Sequence, residues 1–212
     1  MNRAQSGFTL VEMMISSLIG SLAMAGAISV FTVTVKNNGD GLKRVRLGQE
    51  LRTIMDVMTR DIRRAGYWEN ADGITANPFA TLSVNNNCVT YSYDFNGNAL
   101  PQNEDRFGFK FDNSAVKYRQ NGAACNSNND WILISDPNTI SITNLNFNLS
   151  TICENLSNSL DDQSCSNAVS NDVLSYMYQV DITLNGELIS DNTVTYSLSE
   201  SVAIRNSNPQ IN

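Results

Sequence analysis

Phe8-Thr9-Leu10-Val11-Glu12-Met13-Met14-Ile15-Ser16-Ser17-Leu18-Ile19-Gly20 opens a stretch that stays apolar to Val35 and carries a single charge, Glu12. The uncharged run Met13–Val35 has 23 residues. As a helix it would reach about 35 Å, enough to cross the hydrocarbon layer of a bilayer. A soluble core helix is apolar on one stripe only, whereas this run is apolar nearly all round. A secretory signal has a shorter apolar core, about 7–15 residues, and a small-residue cleavage site after it. Neither fits here, so the segment reads as a retained membrane span. Gly20, Gly26 and the interspersed Ser and Thr allow neighbouring helices to approach closely.

Glu12 is the residue that needs explaining. A carboxylate near the start of a membrane span is costly and by default marks a function with a partner. It closes the hexapeptide Gly7-Phe8-Thr9-Leu10-Val11-Glu12, which sits immediately before the uncharged run. This combination resembles the prepilin peptidase motif of type IV pilins and type II secretion pseudopilins. The resemblance implies cleavage after Gly7, methylation of the new N-terminal Phe8, and a registration role for Glu12 as the fifth mature residue. Glu12 would pair with the ammonium of a neighbouring subunit in a low-dielectric helix core. Such a head-to-tail contact does not close, so it builds a helical filament. The positive-inside rule runs against this orientation, because only Arg3 precedes the span while Lys36, Lys43, Arg44 and Arg46 follow it. Large domains, however, translocate largely regardless of flanking charge.

Beyond Val35, Asn37-Asn38-Gly39-Asp40-Gly41 is rich in helix-weakening residues, and reads equally as a hinge within one helix or as a loop between two. Leu47, Leu51, Ile54, Met55, Met58 and Ile62 then recur at helical spacing, with Gly66 as the stop. The basic clusters Lys43, Arg44, Arg46 and Arg60, Arg63, Arg64 fall on this helix and read as its solvated face. After Tyr67 the pattern becomes short alternating runs: Cys88 to Tyr93, Arg106 to Phe111, Ala115 to Arg119, Trp131 to Ile134 and Ile140 to Leu149. Tyr176, Tyr178, Val180, Ile182 and Leu184 share one strand face, Asn185-Gly186 reads as a hairpin turn, and Thr193 to Arg205 as the returning strand. Residues 150–172 read as a polar, cysteine-flanked loop.

The expected fold is therefore α+β: a long N-terminal helix, membrane-embedded in one half and amphipathic in the other, packed on a β-rich antiparallel head. The boundaries are a leader at 1–7, a span at 8–35, an amphipathic stalk at 36–66 and a head at 67–212. Arg60-Asp61-Ile62-Arg63-Arg64-Ala65-Gly66-Tyr67, Cys88-Val89-Thr90-Tyr91-Ser92-Tyr93-Asp94, Trp131, Ile134-Ser135-Asp136-Pro137 and Leu198 to Asn206 resemble the PilW-type minor pilins. Stalk proline is absent, since no Pro precedes Pro78; many major pilins carry one. The resemblance implies a structural subunit that initiates or tips a type IV pilus with other minor and major pilins, after processing by prepilin peptidase. It places the anchor in the inner membrane and the head in the periplasm. A J-type pseudopilin of type II secretion, and a pilus-tip adhesin or DNA-uptake module, are the competing readings.

Cys88, Cys125, Cys153 and Cys165 are even in number, widely spaced and without a C-x-x-C pair, which suits disulfides in an oxidising compartment. Of three connectivities, Cys88–Cys125 with Cys153–Cys165 closes the local segments. The chain-entropy account gives those loops about 4 and about 3 kcal/mol. Asp94, Asn96 and Asn98, followed by Gln102, Glu104 and Asp105, place oxygens at alternating positions, a spacing used by calcium loops. The glycine at 97 is out of register with that pattern, and an Asx-rich turn is the competing account. The sequence has no histidine, so Ser–His and Cys–His catalysis are excluded. Asp161 and Asp162 read as solvated carboxylates, no phosphate-binding glycine loop appears, and no enzymatic activity is expected. A formal charge of −7 argues against nucleic acid as a partner.

Overall fold

A computed structural model of the protein describes residues 7–71, 76–119, 121–157, 165, 170–206 and 209–211. The leader residues 1–6 and the pair Asp161 and Asp162 lie outside them. One helix, α1, runs Leu10–Ile62 without a break, through Asn37 to Gly41. The loop alternative for that stretch is thereby corrected. Two glycines cost a helix about 1 kcal/mol each, and a helix already nucleated on both sides propagates through such a penalty. The chain divides into two compact units, ending and starting at Lys43 and Arg44.

In the first unit, α1 exposes its apolar side chains all round and contains a stretch apolar and long enough to cross a membrane.

In the second unit, Arg44–Ile62 of α1 lies against two antiparallel sheets. Sheet A has the order β1(Leu82–Asn85), β2(Cys88–Ser92), β3(Arg106–Asp112), β4(Ala115–Arg119), β5(Trp131–Leu133). Sheet B has β6(Ile140–Asn155), β7(Val173–Leu188) and β8(Asp191–Ala203) in order, with β9(Pro209–Ile211) pairing the start of β7. The helix contributes Leu47, Leu51, Met55, Met58 and Ile62, all fully buried. Sheet A answers with aromatics, Tyr91, Tyr93, Phe107 and Phe109, and sheet B with aliphatics, Val180, Ile182, Leu184 and Val202. Each buried aliphatic of this size stabilises by about 1.5–3 kcal/mol, so the 3.6-residue stripe is what fixes the helix to the head.

The sheets are joined through hairpin tips. Ile142 N–H donates to Ser114 O at 2.9 Å and Phe147 N–H to Asn86 O at 2.8 Å, so the turns after β1 and β3 cap the outer edge of β6. Asn113 and Ser114 hold φ of 52° and 56°, as a two-residue primed turn requires. At the helix end Gly66 takes φ 75°, and its N–H donates to Ser92 O at 2.8 Å, matching its expected role as a stop.

Two strand expectations change. β7 passes straight through Asn185-Gly186 and turns only after Leu188. Gly186 is there for close approach: a Cβ on it would meet Leu51 Cδ2 at 3.1 Å and Ser141 O at 3.3 Å. β6 extends past Leu149 to Asn155, so the first part of the expected 150–172 loop is strand.

Candidate processing and assembly site

Helix formation at Leu10 leaves Gly7, Phe8 and Thr9 outside the regular structure, so the Gly7–Phe8 bond stands in a non-helical lead-in. Phe8 is 83% exposed. Thr9 is the N-cap, and its carbonyl accepts the first helical bond, from Met13 N–H at 3.2 Å. Glu12, three residues on, closes a capping box. Thr9 N–H and Thr9 Oγ1 donate to Glu12 Oε2 at 3.1 and 3.0 Å, and Glu12 N–H donates to Thr9 Oγ1 at 3.2 Å. Glu12 is thus folded back toward the start of its own helix, where a carboxylate also meets the positive end of the helix dipole. Thr9 was not singled out from sequence, although the T-x-x-E spacing at a helix start is the signal for it.

In the head, the disulfides pair Cys88 with Cys125 and Cys153 with Cys165, at Cα separations of 6.2 and 5.7 Å. The first ties β2 to the loop before β5. Lys110, nearly buried, crosses the same place: its Nζ donates to Ser127 O at 2.7 Å and lies 4.7 Å from the centre of the Trp131 ring.

Asp94, Asn96 and Asn98 fall in one loop, with their acceptors turned to different donors. Asp94 is 2% exposed, and its Oδ2 accepts from Ala99 N–H at 3.2 Å. Asn96 Oδ1 accepts from Asn98 N–H and Asn98 Oδ1 from Leu100 N–H, two Asx turns in succession. Asn96 Nδ2 donates to Glu104 Oε1 at 2.6 Å, and Asp105 accepts from Phe95 and Gln102 N–H. Among the described residues no three acidic, His or Cys side chains converge as a metal set; Asp94 Oδ1 is buried with no hydrogen-bond partner.

One polar cluster was not read from sequence. Asp61 on α1 accepts from Tyr91 OH at 2.5 Å and Tyr93 OH at 3.0 Å, and Arg64 lies 4.2 Å over the Tyr93 ring. Burial, then the Asp61 charge, pushes both phenols well above their usual range. These residues come from a helix and a strand, so no spacing in the sequence announces them.

Residues 2–28 match the prokaryotic N-terminal methylation motif. Residues 40–204 match the family described as prepilin peptidase-dependent protein B. The Escherichia coli (strain K12) protein of that description is 22% identical over 143 residues, covering 65% of this chain and 74% of its own length. No solved structure matches.

Proposed function

Because the chain belongs to the family of prepilin peptidase-dependent protein B, we propose that it is a minor pilin, cut between Gly7 and Phe8 by prepilin peptidase and methylated on Phe8. The single observation that carries this reading is the lead-in. A non-helical Gly7–Phe8 bond stands directly before a capped apolar helix, within the residues that match the methylation motif. Glu12 has the reach and charge to leave Thr9 and pair with the ammonium of a neighbouring Phe8 as subunits stack. The head then faces the periplasm, where the disulfides form, and the subunit joins other pilins in the inner membrane to start or tip a type IV pilus. Calcium binding by Asp94, Asn96 and Asn98 is a separate proposal, resting on the unpartnered Asp94 Oδ1. No heat on titrating chelator-treated protein with millimolar calcium chloride removes it.

Intact mass of the membrane-extracted protein, expressed with and without prepilin peptidase, tests the processing step. Peptidase-dependent loss of residues 1–7 with one added methyl group is expected; an uncleaved chain in both strains overturns it. A Glu12→Ala variant should still be cut but enter pili poorly. Loss of protein secretion with pili intact in a deletion strain would reassign the subunit to a type II secretion filament.

A further inference from the structure

Two surfaces of the head have complementary chemistry. The first is a groove of about 310 Å³ between the last turns of α1 and sheet A, lined by Val57, Arg60, Asp61, Arg64, Tyr118 and Ile134. Asp61 is occupied by the two tyrosine hydroxyls, and Arg64 lies over Tyr93. Arg60 is exposed, and no ion pair or hydrogen bond engages its side chain among the described residues. Val57 is 45% exposed and Ile132, beside the groove on β5, 43%. An apolar trough with an uncommitted guanidinium suits a carboxylate carried on an extended, partly aliphatic segment.

The second surface is β8. It pairs only with β7, leaving its other edge unpaired among the described residues. Its sequence, Asp191–Ala203, contains no Lys, Arg or Pro, the residues that usually guard an edge strand. Glu200 stands exposed on it, opposite Ile182 in register. No Lys or Arg occurs between Arg119 and Arg205, against ten Asp and Glu, so sheet B has no cations of its own with which to receive this edge. The two surfaces lie on opposite sides of the helix. Gly48 abuts Tyr196 of β8, and Val57, nine residues or two and a half turns later, lines the groove.

We propose that a second copy of the chain docks its β8 edge in this groove, with Glu200 of one subunit against Arg60 of the other. The inference rests on reading the chain as a filament-type subunit, and it names one lateral contact of such a subunit. Because donor and acceptor surfaces differ, the contact is heterologous and leaves a free surface at each end.

The test is the mass of the purified full chain in non-ionic micelles, by sedimentation, at low and high salt. Wild type should self-associate at low salt and dissociate as salt rises, because exposed charges are screened within about 10 Å at 0.1 M. Arg60→Glu and Glu200→Arg should each weaken association roughly tenfold or more. Mixing the two single variants should restore association, since the mixture offers both the native Arg60–Glu200 pair and its charge-swapped counterpart. The charge-swapped double variant should recover association; circular dichroism of each variant checks that the head is folded. A monomer at every salt concentration overturns the proposal, as does a salt-independent dimer, or a mixture no larger than its parts. Because the assay needs neither peptidase nor pilus, its failure leaves the processing and pilus results standing.

Discussion

Asp61 carries more of the head than its single charge suggests. It is the acceptor for two hydroxyls whose rings are almost wholly buried, Tyr91 and Tyr93. An unpaired buried polar group costs about 1–3 kcal/mol. Asp61→Ala, which strands both, should therefore cost about 2–4 kcal/mol and lower Tm by roughly 5–10 °C. Asp61→Asn keeps an acceptor and should cost less. Equal melting of the alanine variant and wild type would show that the hydroxyls find other partners. At the other end of the chain, Thr9 is the cap on which α1 begins. Thr9→Val should lose about 0.5–2 kcal/mol of local helix stability, visible as a shift toward coil at Leu10 to Met13 in NMR spectra of micellar protein. Thr9→Ser should keep those shifts, and identical spectra for Val and Thr would show that the Thr9 hydroxyl does not hold the start of α1.

The same helix shows what its sequence announces and what it conceals. The Leu47 to Ile62 stripe was legible because burial on one face leaves a 3.6-residue period. Continuity through Gly39 and Gly41 was not, because propensity is local and cooperative propagation is not. A Cβ at either glycine would meet nothing within 4 Å. Gly39→Ala and Gly41→Ala should each stabilise the segment by about 0.5–1 kcal/mol, slowing hydrogen exchange of neighbouring amides several-fold; unchanged exchange would mean the segment is not helical in solution. Gly186 behaves oppositely. Asn185-Gly186 has turn composition, yet the helix presses on that glycine from another part of the chain, a constraint no local pattern contains. Gly186→Ala should push Leu51 and cost about 1–3 kcal/mol in thermal melts, whereas a true turn glycine with open space would tolerate the methyl. The helix start beside Gly7, Phe8 and Glu12 was readable because the methylation motif and the first turn of α1 are contiguous in sequence. The Asp61 cluster and the Arg60 groove were not, since each is assembled from a helix and a distant sheet.

Across the whole molecule, the ionisable groups leave an unusual gap. There is no histidine, and all four cysteines are in disulfides, so no side chain of the head has an ordinary pKa between the carboxylates and the phenols and amines. On the acid side, three head aspartates sit below their usual value of 3.8. A hydrogen bond from Lys117 holds Asp112 down, one from Thr139 holds Asp136, and one from Ser201 holds Asp181. A depressed carboxylate stabilises the fold above its unfolded pKa, and that contribution is lost as pH falls, because the unfolded chain takes up the proton first. On the alkaline side, Tyr91 and Tyr93 are raised above 10.0, chiefly by burial. Their contribution is intact below that pH and declines above it, as the unfolded chain ionises while the folded one cannot. Tm should thus hold a plateau from about pH 5 to 9, fall below about pH 4, and fall again above about pH 10. Asp61→Asn removes the second cause of the phenol shifts and should soften only the alkaline limb. Thermal melts in micelles across this range decide it. A midpoint near pH 6 or 7 would mean a group outside this inventory governs the fold, and an alkaline limb unchanged by Asp61→Asn would assign the tyrosine shifts to burial alone.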